Sequence, residues 1–115
     1  MPDPCIFCEI IAGRLPAAVL YQDERITAFQ DAAPIAPVHI LLVPNHHIPS
    51  VNAAAPEDEA VLGHLITVAR QLAQAQNLQE SGYRLVINTG PNAGQSVFHL
   101  HMHLIGGRKM PFHFK

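Results

Sequence analysis

Three histidines alternate with apolar residues near the C-terminus of this 115-residue chain, in the run 99–104, HLHMHL. Strict alternation is typical of a β-strand and puts the imidazoles of His99, His101 and His103 on one face of a sheet. The other face is then expected to carry core residues, namely Phe98, Leu100, Met102 and Leu104. Alternate strand residues lie about 6.5–7 Å apart, so one metal ion cannot bind all three imidazoles. An imidazole nucleophile, an ion shared by two rings, or an ordinary surface strand remain.

A glycine turn, Gly94-Gln95-Ser96, comes just before these histidines. Free backbone N–H groups and donor side chains in such a turn can form a concavity that binds an anion. Alone, the turn could equally serve a tight hairpin. Next to a row of imidazoles, it predicts phosphoryl chemistry.

Cys5 and Cys8 form a C-x-x-C pair close to the N-terminus. Redox chemistry of the thioredoxin type would need a βαβ unit around the pair, and no such unit follows. A structural disulfide is disfavoured in a reducing cytosol. The pair can supply half of a zinc site and leave two positions for histidine, or it can be two ordinary buried thiols.

The composition limits the class of protein. At 115 residues the chain is expected to form one domain. Charged residues make up 14% of the chain, against about a quarter in typical domains, so we expect some apolar surface to be covered in an oligomer. A net charge of −2 argues against nucleic acid as a partner. No apolar run is long enough for a membrane span and no leader is visible, so we expect a cytoplasmic protein that binds no membrane.

Hydrophobic periodicity predicts the elements that position these residues. Apolar spacing indicates a short helix over 5–12 and a long amphipathic helix from Pro56 to about Leu78, with His64 on its solvated face. The predicted strands are 19–21, 26–29, 39–43, 83–87 and the histidine run. The segment 31–37 contains two prolines and is predicted to be a loop. This order of elements indicates the α+β class with an antiparallel sheet.

The run 99–105, HLHMHLI, resembles the signature of the histidine triad nucleotide-binding family, in which histidines alternate with hydrophobic residues. Gly106-Gly107-Arg108 is similar to the Hint branch of that family, the purine nucleoside phosphoramidases. Other matches follow the family's order over nearly the whole chain: Ile6-Phe7, Ile10-Ile11, Phe29-Gln30-Asp31, 36–39, Tyr83-Arg84 and Asn88. The resemblance implies a HIT-like fold in a single domain, 1–115. That fold has an antiparallel sheet of about five strands, one short N-terminal helix and one long central helix.

The resemblance implies a role for each matching residue. His101 corresponds to the family's nucleophile, which attacks the α-phosphorus while a main-chain carbonyl holds its other ring nitrogen. His39 and His103 correspond to supporting histidines, and Ser96 with Gln95 to donors for the phosphate and the leaving group.

The implied nucleotide site has a ribose end and a base end. Asp31 would accept hydrogen bonds from the ribose hydroxyls, and Asn88 would support the same pocket. The apolar slot for the base would be formed by Ile6, Phe7, Ile10 and Phe29. Ala32 is smaller than the aliphatic residue usual at its position and would loosen that slot. Gly94 and Met102 complete the expected set of nucleotide-binding residues.

Some bacterial members of the family resemble this chain in combining an N-terminal C-x-x-C with two histidines. By position these ligands would be Cys5, Cys8, His47 and His99, with His46 as the competing choice. The implied site is a closed Cys₂His₂ shell for structural zinc, which would remove His99 from catalysis. No cofactor is expected for the chemistry itself.

The implied activity is cleavage of the P–N bond of purine nucleoside 5′-phosphoramidates through a nucleotidyl-His101 intermediate, releasing a purine nucleoside monophosphate. A dinucleoside polyphosphate hydrolase or nucleotidyl transferase of the same fold is the alternative enzyme. A nucleotide-binding regulatory module with incidental activity is the alternative outside enzymes. The family also implies a homodimer in which two sheets join, with the long helix at the interface.

Overall fold

Alternating apolar residues build a five-stranded antiparallel sheet in the computed structural model, which describes residues 5–111. The elements, in chain order, are α1 (Ile6–Ile11), β1 (Val19–Gln22), β2 (Ile26–Gln30), β3 (Val38–Pro44), α2 (Glu59–Ala75), β4 (Tyr83–Val86) and β5 (Met102–Gly106). The strand order is β1-β2-β3-β5-β4, and every pairing is antiparallel. The predicted α+β class and five-stranded sheet are therefore confirmed. Within 5–111, no helix is both long and apolar enough to cross a membrane.

The central strand β3 is buried on both faces. Ile40 and Leu42 pack into the main core against Leu65 and Val68 of α2. On the opposite face Leu41 and Val43 belong to a smaller core, formed with Phe7 of α1 and Phe29 of β2. The sheet therefore has a helix-covered rear face and a front face on which α1 covers only one end.

The histidine run is a strand only in its second half, which corrects the predicted strand. The β3–β5 ladder ends at the pair Leu42 and Met102, and 97–99 form a bend. Phe98 is 53% exposed instead of lying in the core, whereas Leu100 is buried. The backbone leaves the sheet here because its polar groups find other partners. The Leu100 N–H donates to the carbonyl of Ile48 (2.7 Å).

The long helix ends three residues earlier than the periodicity predicts. Asn77 has a φ of 60°, a left-handed conformation that terminates helices and that Asn tolerates better than most residues. The Leu78 N–H then donates to the Ala73 carbonyl (2.8 Å), and Leu78 returns to the core. The apolar pattern therefore continues beyond the end of α2 at Ala75.

The helical pattern predicted His64 of α2 to be a free solvated residue. The structure shows instead that its side chain has a partner. Its Nε2 lies 2.7 Å from Oδ2 of Asp23, which stands in the turn between β1 and β2. The same carboxylate oxygen accepts from the hydroxyl of Tyr21 (2.5 Å). His64 therefore ties the long helix to the hairpin.

Candidate functional site

A cleft of about 670 Å³ opens on the front face of the sheet, between α1, the end of β2 and the histidine run. That volume suits a nucleotide-sized ligand, since small-molecule sites commonly span about 300–1,000 Å³. Nine of the predicted site residues line it: Ile6, Phe7, Ile10, Phe29, Asp31, Ala32, Ser96, His101 and His103. Sequence reasoning missed Pro16, Ala17, Ala18, Gln30, Pro34, Leu41 and Val97.

His101 is held with one nitrogen facing the protein backbone. Its Nδ1 lies 2.8 Å from the main-chain carbonyl oxygen of His99, so Nδ1 carries the hydrogen and donates it. Nε2 of the neutral ring then keeps its lone pair. The ring is only 7% exposed and meets the edge of Phe7 at a centroid distance of 5.1 Å. These two contacts restrict the ring while it still lines the cleft.

A chain of hydrogen bonds fixes the tautomers of the two neighbouring histidines. The Ile35 N–H donates to Nδ1 of His39 (3.2 Å), so the hydrogen of His39 is on Nε2. That Nε2–H faces Nδ1 of His103 at 2.9 Å. His103 therefore accepts at Nδ1 and carries its own hydrogen on Nε2.

His103 remains neutral at physiological pH. Burial, followed by the nearby His101 and His39, lowers its pKa to about 4. Its ring centroid lies 5.1 Å from that of His101. The cleft therefore contains an imidazole whose Nε2 has no backbone partner beside a second imidazole that can donate a hydrogen bond without carrying charge.

Asp31 joins this chain beside His39. Its Oδ2 lies 3.3 Å from Nε2 of His39, and its Oδ1 accepts from the Ala33 N–H (2.8 Å). Each carboxylate oxygen has two lone pairs, so the side chain retains capacity to accept from a ligand. The orientation of Asp31 is thus set by two partners before any ligand binds.

Four residues of the predicted nucleotide-binding set do not line the cleft. Gln95 is buried, and both its amide hydrogens and its oxygen are used by the backbone of Pro49, Val97 and Gly90, so it has no free donor for a phosphate. Asn88 donates to the Ala93 carbonyl (2.9 Å), Gly94 adopts a φ of 84° in the turn, and Met102 packs in the rear core. The first three shape the loop that carries Ser96.

The four predicted metal ligands converge beside the cleft. Their ligand atoms, from Cys5, Cys8, His47 and His99, all lie within 4.8 Å of one another. Sulfur–nitrogen distances are 3.3 Å from Cys5 to His99, 3.4 Å from Cys8 to His47 and 3.6 Å from Cys8 to His99. A tetrahedral zinc ion with ordinary bond lengths separates sulfur and nitrogen ligands by about 3.6 Å. His46 is not part of the cluster.

The surroundings of the cluster also suit a cation. Nε2 of His99 donates to the Pro44 carbonyl (2.8 Å), which leaves Nδ1 as the ligand atom and is the type of outer-shell contact that orients metal-bound histidines. Burial and the adjacent Cys5 raise the pKa of the Cys8 thiol to about 11. Two adjacent thiolates therefore need a positive charge between them, which a divalent metal supplies.

Comparison with known proteins agrees with this geometry. The HIT domain model matches residues 12–110. A purine nucleoside phosphoramidase of Escherichia coli K12 is 47% identical over 110 residues, which cover 96% of this chain and 92% of that protein. A HIT family hydrolase from Legionella pneumophila superposes with a TM-score of 0.93 at 44% identity, covering 95% of this chain and 97% of that one.

A zinc-bound histidine triad protein from Mycobacterium smegmatis superposes with a TM-score of 0.81 at 32% identity, covering 90% of this chain and 75% of that one. The predicted family and fold are confirmed by these matches. The chain belongs to the HIT domain family, and it is a hydrolase.

Proposed function

We propose that this hydrolase cleaves the P–N bond of purine nucleoside 5′-phosphoramidates through a nucleotidyl-His101 intermediate. The observation that carries the proposal is the 2.8 Å hydrogen bond from His101 Nδ1 to the His99 carbonyl. It leaves Nε2 as the ring nitrogen of a buried imidazole that is available for attack in a nucleotide-sized cleft. The Escherichia coli relative named purine nucleoside phosphoramidase, at 47% identity, supports the choice of substrate class.

In the first step Nε2 of His101 attacks the α-phosphorus, and a bond from nitrogen to phosphorus forms as the P–N bond to the leaving amine breaks. The departing amine takes a proton from solvent water, because an amide anion is a very poor leaving group, and the water that attacks in the second step returns a proton to solvent. The Nε2–H of His103 donates to a phosphoryl oxygen and stabilises the charge that develops there. Ser96, exposed at the rim of the cleft, supplies a second donor.

In the second step water attacks the phosphorus of the nucleotidyl-histidine. The bond from phosphorus to His101 breaks, the nucleoside monophosphate leaves, and the ring returns to its neutral form. The covalent route divides one difficult displacement into two easier ones. The backbone contact of Nδ1 keeps the same ring nitrogen in place through both steps.

The apolar part of the cleft suits a flat purine base. Phe7 and Phe29 meet edge to face at a centroid distance of 5.4 Å, and Ile6 and Ile10 of α1 complete that wall. Ala32 lines the same cleft and adds little bulk to it. Asp31 lines the cleft next to His39, where a carboxylate can accept from both hydroxyls of a ribose.

Zinc is the ion that the Cys₂His₂ cluster suits best. Two thiolates and two imidazoles at tetrahedral spacing form a closed structural shell with no position left for a substrate. When bound, the ion cross-links the start of α1 to the loop after β3 and to the histidine run. Reduced Cys5 and Cys8 also fit a cytoplasmic protein.

A homodimer formed along β4 fits the remaining apolar surface. β4 is an edge strand of the sheet, and Leu85 and Ile87 are exposed there, as is Ile66 on α2. An open apolar edge favours pairing with another strand. Leu85→Lys is expected to convert a dimer to a monomer in light scattering, and a monomeric wild type would contradict this assembly.

The proposed function is tested by comparing two substrates under the same conditions. An adenosine 5′-phosphoramidate is expected to be hydrolysed with a higher kcat/KM than a diadenosine polyphosphate. His101→Gly should lower the phosphoramidate rate by at least about 10³-fold, as the loss of a nucleophile does in other covalent enzymes. A preference for the dinucleotide would identify the alternative hydrolase, and full activity of the variant would refute the mechanism.

A further inference from the structure

We propose that His99 is a positioning residue that couples the Cys₂His₂ cluster to the nucleotide site, so that metal binding and nucleotide binding strengthen each other. This inference rests on the proposed function, because it takes the cleft beside His101 as the nucleotide site. It goes further in making the metal more than a structural cross-link.

His99 contacts both sites at once. Its side chain offers Nδ1 to the sulfur atoms of Cys5 (3.3 Å) and Cys8 (3.6 Å), while its carbonyl oxygen accepts from Nδ1 of His101 (2.8 Å). The ring is fully buried and bonded through Nε2 to the Pro44 carbonyl. Because His99 lies in a bend and not in β5, the sheet ladder does not hold its carbonyl. The peptide that carries this carbonyl is held on its other side by the Leu100 N–H, which donates to the Ile48 carbonyl (2.7 Å). The buried side chain of His99 is therefore the second anchor of this peptide, and it is the one that the metal ligands share.

Helix α1 forms a second connection between the sites. Cys5 is its N-cap residue and accepts the Cys8 N–H at 3.4 Å, so both thiols sit at the start of the helix. Phe7 lies between them in sequence, and its ring contacts the rings of both His99 (5.9 Å) and His101 (5.1 Å). A helix of six residues has little stability of its own. An ion on Cys5 and Cys8 would hold in place the helix that forms the base wall.

The two connections act in the same direction. With the ion bound, the His99 carbonyl and the Phe7 ring are both held where His101 and the base need them. Without it, the nucleotide must also supply the free energy that orders these groups, which lowers its affinity. Linkage requires the reverse effect to be equal, so nucleotide must raise the affinity for the metal by the same factor.

The experiment measures both affinities on the full chain. Adenosine 5′-monophosphate is titrated calorimetrically into zinc-loaded and chelator-stripped protein. The same titration is repeated with cobalt-loaded protein, and Co²⁺, whose absorption reports tetrahedral thiolate ligation, is titrated with and without saturating nucleotide, so that both affinities refer to one metal. We expect each affinity to rise by the same factor, at least about fivefold. A metal that only stabilises the fold would leave both affinities unchanged, provided that circular dichroism shows the stripped protein to be folded.

Variants at two adjacent loop histidines give a matched comparison. His47→Ala removes an exposed ligand and should weaken both metal and nucleotide binding, whereas His46→Ala, outside the cluster, should leave both unchanged. His47→Cys replaces one ligand by another and should restore both affinities. Because His47 is exposed, we expect these variants to fold, and circular dichroism checks that they do.

The outcomes separate the two proposals. Wild-type protein that binds nucleotide equally well with and without metal overturns the coupling and leaves the proposed function intact. The same holds if His47→Ala loses the metal with no change in nucleotide affinity, or if the wild type binds no metal. If the loaded protein neither binds the nucleotide nor hydrolyses the phosphoramidate, the proposed function itself is wrong.

Discussion

The neutral state of His103 should make the folded protein sensitive to acid over a defined pH range. In the folded chain the pKa of His103 is lowered to about 4, whereas the unfolded chain binds the same proton near pH 6.5. Between these values the unfolded state holds more protons, so the free energy of unfolding falls as the pH falls. One pKa unit corresponds to about 1.4 kcal/mol. Allowing for partial exposure of the ring, protonation of His103 should lower the free energy of unfolding by about 2–3 kcal/mol between pH 7 and pH 4.

The contribution is isolated by comparing the wild type with His103→Asn. The Asn amide oxygen can still accept from Nε2–H of His39, but the side chain no longer titrates. Urea unfolding followed by circular dichroism at pH 7 and pH 4 gives the free energy of unfolding of both proteins. Other titrating groups, including the metal ligands, are shared and cancel in the difference. The wild type is expected to lose about 2–3 kcal/mol more than the variant.

Parallel pH dependences would refute this reasoning. If the two proteins lose the same free energy within about 0.5 kcal/mol, His103 titrates as in the unfolded chain. The ring would then be protonated at mildly acidic pH, and the neutral donor in the cleft would not exist there. The hydrogen-bond chain from Ile35 through His39 would also be contradicted, because a protonated His103 cannot accept at Nδ1.

Two further predictions concern the loop before the histidine run and the turn between β1 and β2. Gln95→Ala should lower the free energy of unfolding by about 1–3 kcal/mol, since it leaves buried backbone groups unpaired, whereas Ser96→Ala should change stability little and reduce kcat/KM about tenfold or more. Hydrogen bonds from Tyr21 and His64 lower the pKa of Asp23 against the opposing effect of burial. Asp23→Asn should therefore cost about 1–3 kcal/mol at pH 7, and the difference from wild type should narrow as the pH falls below about 3.9 in matched urea titrations.

Elements whose apolar pattern reflects burial alone were predicted well. α2 has helical apolar spacing because one face packs on the core, and β3 is a continuous apolar run because both of its faces are buried. The run 99–104 alternates as a half-buried strand would, yet its first half is not a strand. Each of its first three residues meets a different environment: His99 faces the thiols, Leu100 the core and His101 the cleft. An alternating sequence cannot distinguish this irregular segment from a regular strand.

Contacts across the fold explain the other differences. Nothing near His64 in the sequence shows that the β1–β2 turn, with Asp23, comes beside α2. A glutamine at position 95 indicates that hydrogen-bond donors are present. It does not show that backbone carbonyls already accept from both amide hydrogens. The small residues from Pro16 to Ala18 line the cleft because of where the chain after α1 passes, and their types carry no signal of a binding role.

Nucleophilic attack by His101 is checked by weighing the protein during turnover. Wild-type protein is mixed with an adenosine 5′-phosphoramidate, stopped within the first turnovers and examined by intact mass spectrometry. We expect a species that is heavier by one adenylyl group and that is absent from His101→Gly. Peptide fragmentation should place the added group on His101. Turnover without that species, or an adduct that persists in the variant, would contradict nucleophilic attack by His101.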